Sequence, residues 1–565
     1  MRMLWNLFLL VLINVQILNA ENVLKIGISS PVGNLNPQGY GQNQMFAQNM
    51  IYEGLVKVNK KGEIVPSLAT SWDVKDSKIY TFILRENVSF SNGEKFNALA
   101  VKKNFDSILK NKSRHSWARL SGLIENVKIL SDFKIEISLK KPYSAALNEL
   151  ALIRPFRFIA PSQIPADFDL IKARVKPIGT GPYKFEKSQK GVADSFIKNE
   201  NYWDKNSYNG IYFDKIIMRH ILESTAKVIA LKSGSIDIIY GSESIPLEIF
   251  REFMSDKNFN TFTSSPNSSV FLALNPARIE SNLRLAINFS IDKVALNKAI
   301  FYNDNNLANS IFYNFKDKKL DISYNINKAK EILESSGYKI GNDKYYYKDY
   351  KKVQLELIYE GDNALQKAMA EILQNQLANI GISLKIAARE PSIYANLQSG
   401  ANFDMCFSST WGVPYEPLIM LNAMKAGGHV FSIHKFLSDF SALNNAIDNA
   451  LESNIMESAS LDSKKLGNLQ DSKKLDSKTL KDSKVLSVRN SQDSKSFKKS
   501  NLDSKKLQDS KLLDSNIFKV LNIIDNDRIY IPLYYQTNRA IAKKTIKGIN
   551  IGVQIYEIPF WEFYE

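Results

Sequence analysis

The chain has 565 residues, 44% of them hydrophobic, which is ample for large cores and too long for one ordinary domain. A single cysteine, Cys406, excludes a disulfide framework or a cysteine-built zinc site. The net charge of +16 comes from scattered lysines rather than one basic run, so it implies a basic solvated surface biased toward anionic ligands, not a nucleic-acid binder.

The chain opens "MRMLWNLFLLVLINVQILNA". Arg2 gives a positive n-region, an apolar stretch runs from Leu4 to about Val15, and Leu18-Asn19-Ala20 fits a small-residue cleavage site; together they predict a signal peptide over 1–20, cut near Ala20. The apolar core is shorter than the ~20 residues that span a bilayer, so a membrane anchor fits less well. With no cysteine at the cleavage point, the mature protein is expected to be periplasmic, or in an equivalent compartment, and not lipid-anchored.

Beyond the leader the pattern is mixed α/β. "KIYTFILRENVSF" (78–90) alternates as a half-buried strand pair turning at Glu86-Asn87. "NALAVKKNFDSILK" (97–110) has helical spacing after an Asn cap, as does "NKAKEILESSGY" (327–338), which Gly337 ends as a C′ residue. "VQLELIYEG" (353–361) reads as a strand, and "ALQKAMAEILQNQLANIGISLKI" (364–386) as a helix stopped at Gly381 followed by another strand. This βαβ-like unit and its counterpart before about Pro266 predict two α/β lobes with a ligand between them. The segment 457–516 differs: it repeats "DSK" at Asp462, Asp471, Asp476, Asp482, Asp493, Asp503 and Asp509 with no fixed period. A solenoid needs a period, so the segment reads as a low-complexity, disordered insertion in a surface loop. No HExxH, GxSxG or phosphate loop is present, which argues against an enzyme.

Short phrases then accumulate in a telling order: "IYEGLV" (51–56), "PSLATSW" (66–72), "FSNGEKFNA" (90–98), "PIGTGPYKF" (177–185), "NYWD" (201–204), "GSIDI" (234–238) and "LALN" (272–275). In these the chain resembles the large extracytoplasmic solute-binding proteins of the peptide/nickel class, over the whole mature chain except the DSK-rich segment. The resemblance implies a type II, two-lobed fold with a hinge and an inter-lobe cleft, serving an inner-membrane ABC importer permease as a monomer. Lobe I would be 21–264 plus 536–565 and lobe II 265–535. "NPQGYGQNQMFAQNMIYEGL", "RHSWARL", "ELALIRPFRFIAPSQ", "TWGVPYEP" and "EIPF" resemble the nickel-binding branch. Peptide binders typically carry an aspartate in the segment matching "TWGVPYEP"; here Val413-Pro414 stand there, with Glu416 nearby. A di- or oligopeptide, or haem, is the alternative cargo.

The four histidines, His115, His220, His429 and His434, include no i, i+4 pair, so a nickel site built from protein alone is not expected. The expected ligand is nickel(II) wrapped in a small organic chelator, with one protein ligand added. His429 follows two glycines, and its place 14 residues past Tyr415 matches the relatives' metal-contacting histidine. Arg114 and Arg154 match the relatives' carboxylate-binding arginines, and a guanidinium fork suits the chelator's free carboxylates. Each also has a plainer reading, a solvated loop for His429, an exposed helix residue for Arg114 and a structural ion pair for Arg154. His115 is a second metal candidate that could instead face solvent or cap a turn. Arg157 reads as a structural ion-pair partner, and His220 and His434 as structural or exposed. Tyr40, Met45, Trp117, Trp411 and Tyr415 match pocket-lining positions, although ordinary core packing would explain each. Tyr556 stands where the relatives usually have a smaller polar residue, which bears on pocket volume.

Overall fold

The computed structural model describes the chain except residues 1–20, 30, 41, 60–61, 205–209, 242–244, 267, 303–305, 316–323, 413–416, 427–439, 453–514 and 553–556. The expected signal peptide, His429, His434, Tyr415, Glu416 and Tyr556 therefore lie outside the described residues, as does the DSK-rich segment up to 514. At its far edge the chain is already helical from 515.

Two large sheets organise the molecule. The first has seven strands in the order Phe259–Thr263, Arg539–Lys543, Ile238–Tyr240, Val23–Ile28, Lys215–His220, Ala193–Lys198 and Tyr183–Gln189. Its centre is parallel, with Val23–Ile28 pairing Lys215–His220 on one side and Ile238–Tyr240 on the other. The second has six strands, Asn306–Leu307, Tyr530–Gln536, Ser268–Leu274, Met405–Ser409, Gln354–Glu360 and Ser383–Arg389. Here the expected βαβ unit appears: Gln354–Glu360 and Ser383–Arg389 pair in parallel across the helix Ala364–Asn379, which ends just before Gly381 at φ +76°. A four-stranded antiparallel sheet, Ala69–Lys75, Ile79–Leu84, Lys134–Leu139 and Ile124–Ser131, adds a third layer to the first lobe. It is covered by the helix Ala98–Lys110, whose Asn97 side chain accepts the Ala100 amide as an N-cap.

Some expectations shift locally. The strand pair predicted over 78–90 is one strand, because Ile79–Leu84 takes both partners from elsewhere, Ala69–Lys75 and Lys134–Leu139. Past the turn, where Asn87 has φ 59°, only a single bridge forms, Ser89 to Lys95. The helix Ile326–Ser335 is capped by Asn325, two residues before the asparagine that opens "NKAKEILESSGY". Its Gly337, at φ +85°, takes the left-handed conformation expected after a helix end.

The chain passes between the large sheets twice, after Thr263 and after Gln536. These connections lie side by side: the Ser264 amide donates to the Asn538 carbonyl (2.9 Å) and the Asn538 amide donates to Ser264 Oγ (2.8 Å).

Candidate functional site

The site grows from three pieces of chain. An asparagine turn shapes the first: Asn36 Oδ1 accepts the Gln38 amide (2.9 Å), and Gln48 Nε2 from the helix Gln42–Ile51 donates to the Asn36 carbonyl (2.6 Å). This presents Tyr40. The second piece is the run of turns over 111–118, where exposure alternates: Arg114 and Ser116 are exposed, His115 and Trp117 buried. Glu149 fixes its far end, accepting the Arg119 and Leu120 amides (3.1 and 2.9 Å) and the Tyr143 hydroxyl (2.7 Å). Burial pushes the Glu149 carboxyl up to about 7 despite these donors. The third piece carries Arg154, whose Nη1 donates to the Gly39 carbonyl at 3.0 Å.

Tyr40 is the centre of the cluster. The Arg154 guanidinium lies 4.9 Å and that of Arg114 5.1 Å from its ring centroid, both within cation–π range. Trp117 Nε1 donates to the Tyr40 hydroxyl at 2.9 Å, and that hydroxyl lies 2.5 Å from His115 Nδ1. On the other side of the imidazole, His115 Nε2 meets Gln38 Oε1 at 3.4 Å, and Gln38 Nε2 donates to Ser107 Oγ at 3.1 Å. An acceptor opposite Nε2 places the ring proton there, so Nδ1 accepts from Tyr40. The direction of bonding is then Trp117 to Tyr40 to His115 to Gln38.

His115 is fully buried. Burial, reinforced by the neighbouring Arg114 charge, lowers its pKa to about 4, so it is neutral at physiological pH. Both ring nitrogens are engaged, which corrects the expectation of a second metal candidate or a solvent-facing histidine: His115 supports Tyr40 from behind. Burial also pushes the Tyr40 hydroxyl up to about 12, partly opposed by Trp117, Arg154 and Arg114, so it keeps its proton.

The second lobe contributes Trp411, which meets Trp117 edge-on with ring centroids 5.5 Å apart at 90°. The cluster thus sits where the lobes meet. Of the expected lining residues, Tyr40 and Trp411 are half-buried, whereas Trp117 and Met45 are buried. Arg157 points away from this cluster. It is 4% exposed and donates to the carbonyls of Leu152, Tyr52 and Ala151 and to Glu557 (3.2 Å). It borders a separate cavity of about 500 Å³ within the first lobe, shared with Glu53, Lys57, Tyr202 and Trp561. His220 is structural, bonded to buried Asp194 at 2.8 Å. Among the described residues no three His, Cys, Asp or Glu side chains gather as a metal site, and no helix is long and apolar enough to cross a membrane.

Gln38 and Glu149 were not singled out from sequence, since a glutamine in a loop and a glutamate beside an apolar run carry no distinctive pattern. Asn422 was also missed, yet a signal for it existed: it is the one polar residue inside "LIMLNAM" (418–424).

Two α/β lobes joined by two adjacent connections, with arginines and aromatics gathered where the lobes meet, define a two-lobed solute-binding protein. The chain belongs to the bacterial extracellular solute-binding proteins, family 5, whose middle-region model matches residues 63–432. It is 39% identical over 433 residues to the nickel-binding periplasmic protein of Escherichia coli, covering 74% of this chain and 81% of that relative. Among solved structures it is similar to NikA from Brucella suis in complex with Fe(III)-EDTA, with TM-score 0.79, 31% identity and coverage of 96% of this chain and 99% of that one. The fold also matches NikZ from Campylobacter jejuni in complex with Ni(L-His), with TM-score 0.75, 21% identity and coverage of 97% and 100%.

Proposed function

We propose that this protein captures nickel(II) as a small-molecule chelate and hands it to an inner-membrane ABC importer, working as a periplasmic monomer. The observation that carries the reading is the pair of guanidiniums, Arg114 and Arg154, set about one ring face with a neutral histidine behind it. Two fixed cations favour a ligand with free carboxylates, which a carboxylate or amino-acid chelator supplies while filling most of nickel's coordination positions. The identity to the E. coli nickel-binding protein supports nickel as the cargo.

In this reading Arg114 and Arg154 bind chelator carboxylates and His429 adds the protein's ligand to nickel. Tyr40, Met45, Trp117, Trp411, Tyr415 and Tyr556 line the pocket, where aromatic faces exclude water and strengthen the charge contacts. Lobe I takes 21–264 and 536–565, lobe II takes 265–535, and hinge motion at the paired connections closes them over the chelate. Calorimetry on metal-free protein tests this: Ni(II) with L-histidine binds tightly and dipeptides do not. Tight binding of dipeptides without metal refutes the nickel reading in favour of a peptide cargo.

A further inference from the structure

The helix Leu418–Lys425 belongs by sequence to the second lobe, following the strand Met405–Ser409, yet apart from Asn422 and the terminal Lys425 it is apolar. Its apolar side chains are buried on two sides of the helix. One side, Leu418, Met420, Leu421 and Met424, packs into the core of the six-stranded lobe. The other side, Ile419 and Ala423, is at most 2% exposed within the core of the four-stranded sheet in the first lobe. Asn422 shares that second side. Its Nδ2 donates one proton to the Ser116 carbonyl (3.0 Å) and the other to the Trp117 carbonyl (2.8 Å).

The acceptors are what make this contact informative. They are backbone carbonyls of the turn that carries Arg114, His115 and Trp117, so the bond senses where that turn lies and not which side chains it bears. Both protons of one uncharged amide nitrogen are used, a donor pair that neither an alanine nor an aspartate could supply. The ion pairs of Glu452 with Arg119 (3.3 Å) and Lys141 (3.6 Å) cross the same seam; Arg119 is mostly covered, but Glu452 and Lys141 are exposed, so solvent screens both pairs and they add little.

We propose that Asn422 is a positioning residue for ligand binding: a two-pronged clasp that forms when the lobes come together, holds the Arg114–Trp117 turn in place and prolongs ligand residence without touching the ligand. This rests on the reading that the Arg114 and Arg154 cluster binds the solute. The clasp forms on lobe closure, which the ligand-free protein samples and a bound ligand prolongs, and it must break before the ligand leaves, so it acts on release rather than capture.

The test follows association and dissociation of Ni(II)–L-histidine by the fluorescence of the tryptophan pair at the seam. Asn422→Ala, losing two hydrogen bonds, releases the probe about tenfold faster with association within about twofold. Asn422→Asp turns a carboxylate toward two carbonyl oxygens and releases it faster still. Release unchanged in both variants, or association slowed as much as release quickens, overturns the clasp. A ligand-free arm keeps the two readings apart: Ser116→Cys/Asn422→Cys treated with a short bismaleimide becomes internally cross-linked, read by intact mass. Failure to cross-link overturns the clasp, whereas failure of the wild type to bind Ni(II)–L-histidine overturns only the nickel reading.

Discussion

Neutral His115 makes a quantitative demand on the pH dependence of stability. Its pKa drops from the ordinary 6.5 to about 4, because the ring is buried and Arg114 lies beside it. The unfolded chain therefore binds more protons than the folded one between those values, and stability is lost as pH falls through that window. At 1.36 kcal/mol per tenfold change in proton affinity, the loss attributable to this ring is about 3 kcal/mol between pH 7.5 and pH 4. Buried carboxyls such as Glu149, pushed up to about 7, titrate with the opposite sign, so the whole protein's profile mixes both. A comparison isolates the histidine: His115→Gln is neutral throughout, and its stability difference from wild type should shift by about 3 kcal/mol over the same range in paired urea titrations. The mechanism has a direct readout as well. In 15N-histidine-labelled protein, long-range proton–nitrogen spectra show one ring as the Nε2–H tautomer, uncharged at pH 5. A His115 that titrates near 6.5, or carries its proton on Nδ1, refutes the reasoning, since Tyr40 would then have no acceptor behind it. Below about pH 4 the charged ring stops accepting from Tyr40, and the platform between the arginines loosens.

Four further outcomes are expected. Arg154→Ala weakens Ni(II)–L-histidine binding by about 10- to 100-fold in calorimetry, and Arg154→Lys recovers only part of it, because an ammonium lacks the planar fork. Glu149→Ala leaves the Arg119 and Leu120 amides and the Tyr143 hydroxyl without their acceptor, costing about 3 kcal/mol in denaturant titrations. Gly179→Ala abolishes soluble protein, because a Cβ there would sit 2.0 Å from the Ile51 carbonyl oxygen. Deleting 457–516 leaves chelate affinity within a few-fold by calorimetry, and collapse of binding would show the segment to be part of the site.

The phrases by which the family is legible turn out to be scaffold. "IYEGLV", "PIGTGPYKF" and "NYWD" meet at one point: Glu53, buried, accepts from Thr180 Oγ1 (2.8 Å), Trp203 Nε1 (2.9 Å) and the Tyr202 hydroxyl (3.4 Å). Gly179 and Gly181 press their backbones against residues 50–51, and the Gly181 amide donates to the Ile51 carbonyl at 2.8 Å. "GSIDI" supplies Asp237, which takes the Lys25 amide and pairs with Lys543, and "LALN" supplies Asn275, which grips the Phe403 carbonyl. Such motifs identify a fold because each residue answers a local backbone need. The reading of Arg157 as a structural ion-pair partner matches its pairing with Glu557 in the first lobe's interior. What the sequence hid was His115. In "KSRHSW" it has the company of an exposed run, and its burial comes from the loop around Tyr40, which lies 75 residues earlier. Contacts of that separation leave no periodic trace in either segment.

The paired connections at Ser264 and Asn538 have a mechanical consequence. A single tether would let one lobe swing, twist and slide against the other. Two tethers side by side, joined by a pair of hydrogen bonds like a rung, resist twist and shear and leave one easy rotation about the line between them. Opening then moves the Arg114–Trp117 turn and Asn422 along a fixed arc, and each return stroke brings the amide back to the same two carbonyls.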